Sequence, residues 1–69
     1  MKRWSVKHSK DIESKKIDDF LIEIAAVCRK HGYSIGHEDG HGAFEIEDLN
    51  TGDIEWLMDA HISKYCSKI

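Results

Sequence analysis

The densest group of side chains able to do chemistry is His37, Glu38, Asp39 and His41, with His31 just before it and His61 in a later segment. Imidazole nitrogens and carboxylates suit zinc or another divalent ion, so a metal-dependent hydrolase is one activity the group could support. The spacing follows no metal-ligand motif, and each histidine has a plainer use. His31 suits a helix C-terminus, His37 and His41 flank a turn, and His61 can be a partly buried imidazole with a partner. No metal site and no cofactor are expected.

Cys28 or Cys66 could pair with a histidine as a nucleophile, but catalysis needs an accessible thiol in an electropositive setting. Cys28 instead falls in an apolar helical stripe of an acidic chain, and both cysteines are read as free thiols. Glu45 and Glu47 share a strand face and could imitate a carboxylate pair, yet 69 residues offer little wall for a desolvated pocket. Gly36, Gly40 and Gly42 are not followed by the helix N-terminus that a phosphate cradle requires. No catalytic residue is assigned, and the chain is read as non-enzymatic.

Charge varies sharply by segment. Residues 1–16 hold six Lys or Arg against two carboxylates, whereas residues 17–59 hold eleven carboxylates against Arg29 and Lys30 alone. Such a centre repels phosphate and attracts cationic surfaces, so a basic protein partner is expected and direct nucleic-acid contact is not. The chain has 41% hydrophobic and 33% charged residues, which places it among globular domains rather than disordered tails. No apolar run approaches the ~20 residues of a membrane span, and the lysine-rich start lacks a signal-peptide core, so a cytoplasmic location is expected. Residues 1–69 are read as a single domain, near the size at which one core gives only a small net stability and a homodimer helps.

The acidic centre needs a scaffold, and the stretch from Tyr33 to Asp48 supplies one. Two alternating runs flank Asp39-Gly40, a dipeptide suited to a two-residue type I′ hairpin turn. That turn, or a four-residue loop from Glu38 to His41, pairs Ile35 with Phe44, Tyr33 with Ile46 and His37 with Gly42, with Gly40 supplying φ > 0. Tyr33, Ile35, Phe44 and Ile46 then share one face, and Ser34, Gly36, Ala43, Glu45 and Glu47 share the other.

Two helices bracket the hairpin. From about Asp11 to His31, Ile17, Phe20, Leu21, Ile24, Val27 and Cys28 form an apolar stripe, with Ile22 and Ala26 off it. Ser9, Asp11 or Ser14 could cap this helix, and Gly32 ends it as a left-handed residue. Asn50 or Thr51 caps a second helix over Asp53 to Cys66, whose stripe is Ile54, Leu57, Met58, His61, Ile62 and Tyr65. Residues 1–10 form a basic arm or an extra N-terminal strand. The expected fold is a small α+β domain of order α-β-β-α, an antiparallel hairpin whose apolar face is covered by both helices.

Trp56 lies almost opposite the second stripe, so it is exposed unless the arm carrying Trp4 covers it. The segment Val27 to Ala60, above all HEDGHGAFEIED followed by DIEWLMDA, resembles a group of short uncharacterised proteins encoded in bacteriophage and prophage genomes. The resemblance implies an accessory phage protein acting on a host component, similar in kind to anti-CRISPR and other counter-defence inhibitors, and it brings no catalytic residues. The expected function is non-catalytic binding of a host protein with a basic surface. Glu38, Asp39, Glu45, Glu47, Asp48 and Asp53 would imitate nucleic-acid phosphates, and Trp56 would be the buried anchor. The alternatives are a nucleotide-sequestering protein whose Lys2, Arg3 and Lys7 contact phosphate, and the metal-dependent hydrolase.

Overall fold

A computed structural model describes residues 1–40 and 42–69. The elements are β1 (Lys2–Ser5), β2 (Lys10–Glu13), α1 (Lys15–His31), β3 (Tyr33–Glu38), β4 (Ala43–Asp48) and α2 (Thr51–Met58). Two antiparallel hairpins, β1-β2 and β3-β4, are joined by α1, and α2 follows β4. The α+β architecture is as expected, with β3-β4 set against both helices.

Helix α1 begins after Ser14, whose hydroxyl accepts from the Ile17 N–H, and ends at Gly32 with φ 77° and an N–H donated to the Cys28 carbonyl. It starts later than expected because residues 10–13 are extended and paired: Lys2 with Glu13, Arg3 with Ile12, Trp4 with Asp11 and Ser5 with Lys10. The basic N-terminal residues are therefore an ordered strand, and it joins β2 rather than the β3-β4 hairpin. Leu21, Ala25 and Cys28 are the buried residues of α1, while Phe20 and Val27 are exposed, so the apolar stripe is narrower than the spacing suggests. Ala25, Cys28 and Ile54 form the core cluster, with Ile24 and Met58 packed on it.

Helix α2 is capped by Asn50, whose side-chain oxygen accepts from the Gly52 N–H, and it stops at Met58 instead of continuing to Cys66. Two distant partners account for the stop. The Arg3 side chain, only 1% exposed, donates from Nη1 to the carbonyls of Met58 (2.9 Å) and Ala60 (3.1 Å). These are the groups a helix end leaves unsatisfied. Beyond them the chain is extended, and Ile62 lies beside β1, its N–H donating to the Trp4 carbonyl (2.8 Å) while its carbonyl accepts from the Val6 N–H (2.9 Å). Ile62 is buried by this strand-like contact, and His61 and Tyr65 are exposed rather than on a helical stripe. Arg3 Nη2 also meets Asp18 Oδ1 at 2.6 Å, so one guanidinium ties β1, α1 and the end of α2 together.

The β3-β4 hairpin departs from expectation twice. Its register pairs Ile35 with Ile46, His37 with Phe44 and Tyr33 with Asp48, two residues from the expected one, and of the described residues Asp39, Gly40 and Gly42 fall between the strands. Gly42 takes the positive φ of 70°, Gly40 does not, and the Gly42 N–H donates to the Glu38 carbonyl (3.0 Å). A two-residue shift keeps side-chain parity, so Tyr33, Ile35, Phe44 and Ile46 do share a face.

That face is not the one the helices cover. Ser34 and Gly36 are buried, and Tyr33, Ile35, Phe44 and Ile46 are exposed. The helices take the small-residue face because it admits close approach and offers a polar anchor. Ser34 Oγ donates to Asp53 Oδ2 (2.8 Å) and accepts from the Asn50 N–H (3.1 Å), locking the first turn of α2 to β3. A Cβ on Gly36 would lie 3.1 Å from Glu47 Oε2 and 3.4 Å from Asp53 Oδ1. The molecule measures 35 × 28 × 17 Å, and 17 Å holds one helix layer on one sheet layer but no third.

Candidate functional site

The candidate residues fall into two adjoining groups on the β3-β4 hairpin and α2. The first is a line of carboxylates on the helix-facing side of β4 and along α2. Glu45 and Glu47 project from β4 toward the side where Asp53 sits, and Asp53 accepts from Ser34 Oγ. The Asp53 carboxylate raises the Glu47 carboxyl above its ordinary value of 4.5, first by a hydrogen bond that requires a proton and then by like-charge repulsion. Glu45 adds to this repulsion, and a hydrogen bond to Asn50 offsets part of it. Among the described residues no ion pair reaches Glu45, Glu47, Asp48, Asp53, Glu55 or Asp59. The field of this ridge is uncompensated from within the described chain.

The second group is aromatic. His37 stands edge-on to Phe44, its cross-strand neighbour, with ring centroids 5.7 Å apart. It is also edge-on to Trp56 at 6.2 Å. His37 Nδ1 lies 3.2 Å from Asp39 Oδ1, so the imidazole is held by a carboxylate in the turn and by two rings. Ile35, Gly36, Asp53, Leu57 and Ala60 complete a shallow hollow of about 200 Å³ around these rings. Trp56 is 58% exposed. The arm does not cover it, because β1 is occupied with β2 and Ile62.

The expected partner-binding residues therefore divide. Glu45, Glu47 and Asp53 belong to the ridge, and Trp56 stands next to it on α2. Asp48 is exposed at the end of β4, where its carbonyl accepts from Ser34 Oγ (3.3 Å). Glu38 turns back on the loop, with Oε1 accepting from the Gly40 N–H at 2.6 Å, and Asp39 is engaged by His37. His31 and His61 are exposed, His41 lies outside the described residues, and no group of three metal-ligating side chains gathers among the described residues. Cys28 is buried, Cys66 is half-buried, and both are free. Arg3, the cation a nucleotide phosphate would need, is buried and committed to Asp18 and two carbonyls.

Two features had no sequence expectation. One is the Ser34 anchor, whose only signal is a serine facing a helix N-terminus. The other is an apolar trough of about 530 Å³ between α1 and the C-terminal segment, lined by Ile17, Phe20, Leu21, Ile62 and Cys66 with Lys16 and Lys68. It exists because α2 stops early and the chain swings away to pair with β1. No described helix is long and apolar enough to cross a membrane. No protein-family model, curated protein or solved structure matches the chain.

Proposed function

We propose that this is a small, non-catalytic binding protein that docks on a cationic surface of another protein and modulates or inhibits it. This is the phage-type accessory role, of the counter-defence kind, that the sequence resemblance implies. The observation that carries the reading is Trp56: a largely exposed indole on a short helix that also bears Asp53 and Glu55 and is followed by Asp59, none of them in an ion pair among the described residues. Carboxylates without internal cations steer a basic partner and fix its orientation, and an indole supplies apolar contact that survives desolvation. The ridge Glu45, Glu47, Asp53 presents closely spaced negative charge, as a nucleic-acid backbone does.

The test is capture from host lysate with the mass of the complex measured, using the native chain, Trp56→Ala and Glu47→Lys. Capture of a basic protein that weakens with salt and is lost in both variants supports the reading. A captured protein that both variants retain, or that rising salt leaves unaffected, refutes it.

A further inference from the structure

The β3-β4 hairpin presents Phe44 at 77%, Ile46 at 67%, Tyr33 at 55% and Ile35 at 40% exposure on one face, with His37 among them. Asp48 at one end of the strand and Asp39 beside His37 at the other bring charge to the margins of that face; Glu38, Glu45 and Glu47 belong to the other side. Such a concentration on so small a domain is unusual for a monomer. The chain is also flatter than its length requires. Its radius of gyration is 12.9 Å, against roughly 11 Å for a compact chain of this size. A two-stranded hairpin with its apolar face in water is marginal by itself.

We infer that the occupant is the same face of a second copy, giving a two-fold symmetric, face-to-face dimer. Charge selects this arrangement. With Glu45 and Glu47 on the opposite side and Asp48 at the strand end, two copies can close here without opposing their acidic ridges, whereas approaches through those ridges bring like charges of two chains of net charge −3 together. Edge-to-edge pairing of β4 is disfavoured by the same residues. The antiparallel registers that pair most of the strand, centred on Glu45 or Ile46, set Glu45 against its own counterpart or against that of Glu47.

Area sets the strength. At about 200 Å² for a fully exposed aromatic side chain, Tyr33 and Phe44 offer roughly 260 Å², and Ile35, Ile46 and His37 add on the order of 200 Å². The pair then buries at most roughly 900 Å², less than a standard interface, which places the dimer in the weak, transient class. The carboxylates Glu45 and Glu47 remain outside this contact, whereas Trp56 borders it through His37 and Phe44.

Sedimentation equilibrium on the purified full chain, from low micromolar to about 1 mM, tests the inference over the concentrations at which a weak dimer forms. The expected result is a monomer-dimer equilibrium that tightens with salt, as apolar association between like-charged chains does. Phe44→Lys and Ile46→Lys should each weaken it at least about tenfold while the circular dichroism stays native, since both side chains are exposed. Glu47→Lys, on the other side of the strand, should leave the dimer intact. Native protein that stays monomeric at the top concentration overturns the inference. Dimerisation that Phe44→Lys and Ile46→Lys both leave unchanged overturns it equally.

Discussion

Arg3→Met is the most informative single change to the fold. The guanidinium is almost fully buried and makes two hydrogen bonds to the carbonyls of Met58 and Ala60, 55 and 57 residues away in sequence. A hydrogen bond from a charged donor contributes about 1.5–3 kcal/mol, so the two carbonyl bonds suggest roughly 3–6 kcal/mol. Nε finds no partner among the described residues, and an orphaned buried N–H costs about 1–3 kcal/mol, which moves the net value to the lower end, ~3 kcal/mol. A 69-residue domain has roughly 3–10 kcal/mol in total. Arg3→Met therefore removes a third or more of the stability, and Arg3→Lys, with one ammonium for three acceptors, falls between.

Urea denaturation followed by circular dichroism gives the first measurement. The acid limb gives a second. Asp18 is held below its ordinary value of 3.8, chiefly by the hydrogen bond from Arg3 and then by the N-terminal ammonium. A depressed carboxyl adds stability above its unfolded value and loses it as pH falls through the folded one. In Arg3→Met that acid-side dependence should shrink. A variant within about 0.5 kcal/mol of native with an unchanged acid limb would refute the tie between β1, α1 and α2, since surface changes fall in that range.

Other outcomes follow from the same geometry. Glu47 binds its proton more tightly in the folded state, so its contribution is full below 4.5 and is lost as pH rises through the raised value. Glu47→Gln should flatten the decline of the urea midpoint as pH rises above 4.5 and raise stability once Glu47 is ionised; an unaltered profile counts against the Glu47–Asp53 contact. Trp56→Ala should leave the melting temperature within a few degrees, because the ring is more than half exposed, while partner capture falls at least about tenfold. Gly32→Ala should cost about 1 kcal/mol in urea denaturation through its left-handed φ alone, since a Cβ there meets nothing within 4 Å.

How much of this could be read in advance depends on whether the deciding interaction is local. Ser14, Gly32 and Asn50 act within a turn of their own positions, and all three are recognisable in the chain as caps or stops. Side-chain alternation in Tyr33–Asp48 is likewise local, and the two faces are as the pattern gives them. The register was not legible, because Asp39-Gly40 and Gly42 offer competing turns and only the closing bond to Glu38 decides between them. The early end of α2 depends on Arg3 and β1, at the far end of the sequence, and no helical period reports it. Strand β2 is hidden because KDIE contains a single apolar residue. Of the candidate site, Trp56 and the carboxylates were visible as residue types, but which of them meet was settled by Ser34 and Gly36, two small residues without an obvious signal.

The inversion of the hairpin links fold to function. Apolar alternation ordinarily states which face meets the core, but at Ser34 and Gly36 the helices gain a hydrogen-bonded anchor and close backbone approach. A side chain at Gly36 would crowd Glu47 and Asp53, and an apolar one at Ser34 would leave Asp53 and the Asn50 N–H without their partner. The small residues thus hold the carboxylates against α2 and leave the larger apolar residues outside. Strand β4 in consequence carries two surfaces of opposite character on alternate residues: Phe44 and Ile46 on one side, Glu45 and Glu47 on the other. The proposed dimer and the proposed partner use different sides of one six-residue strand, and salt moves them in opposite directions. A one-residue slip would exchange the two sides, so the hairpin loop that fixes the register, with Gly42 at positive φ, protects both.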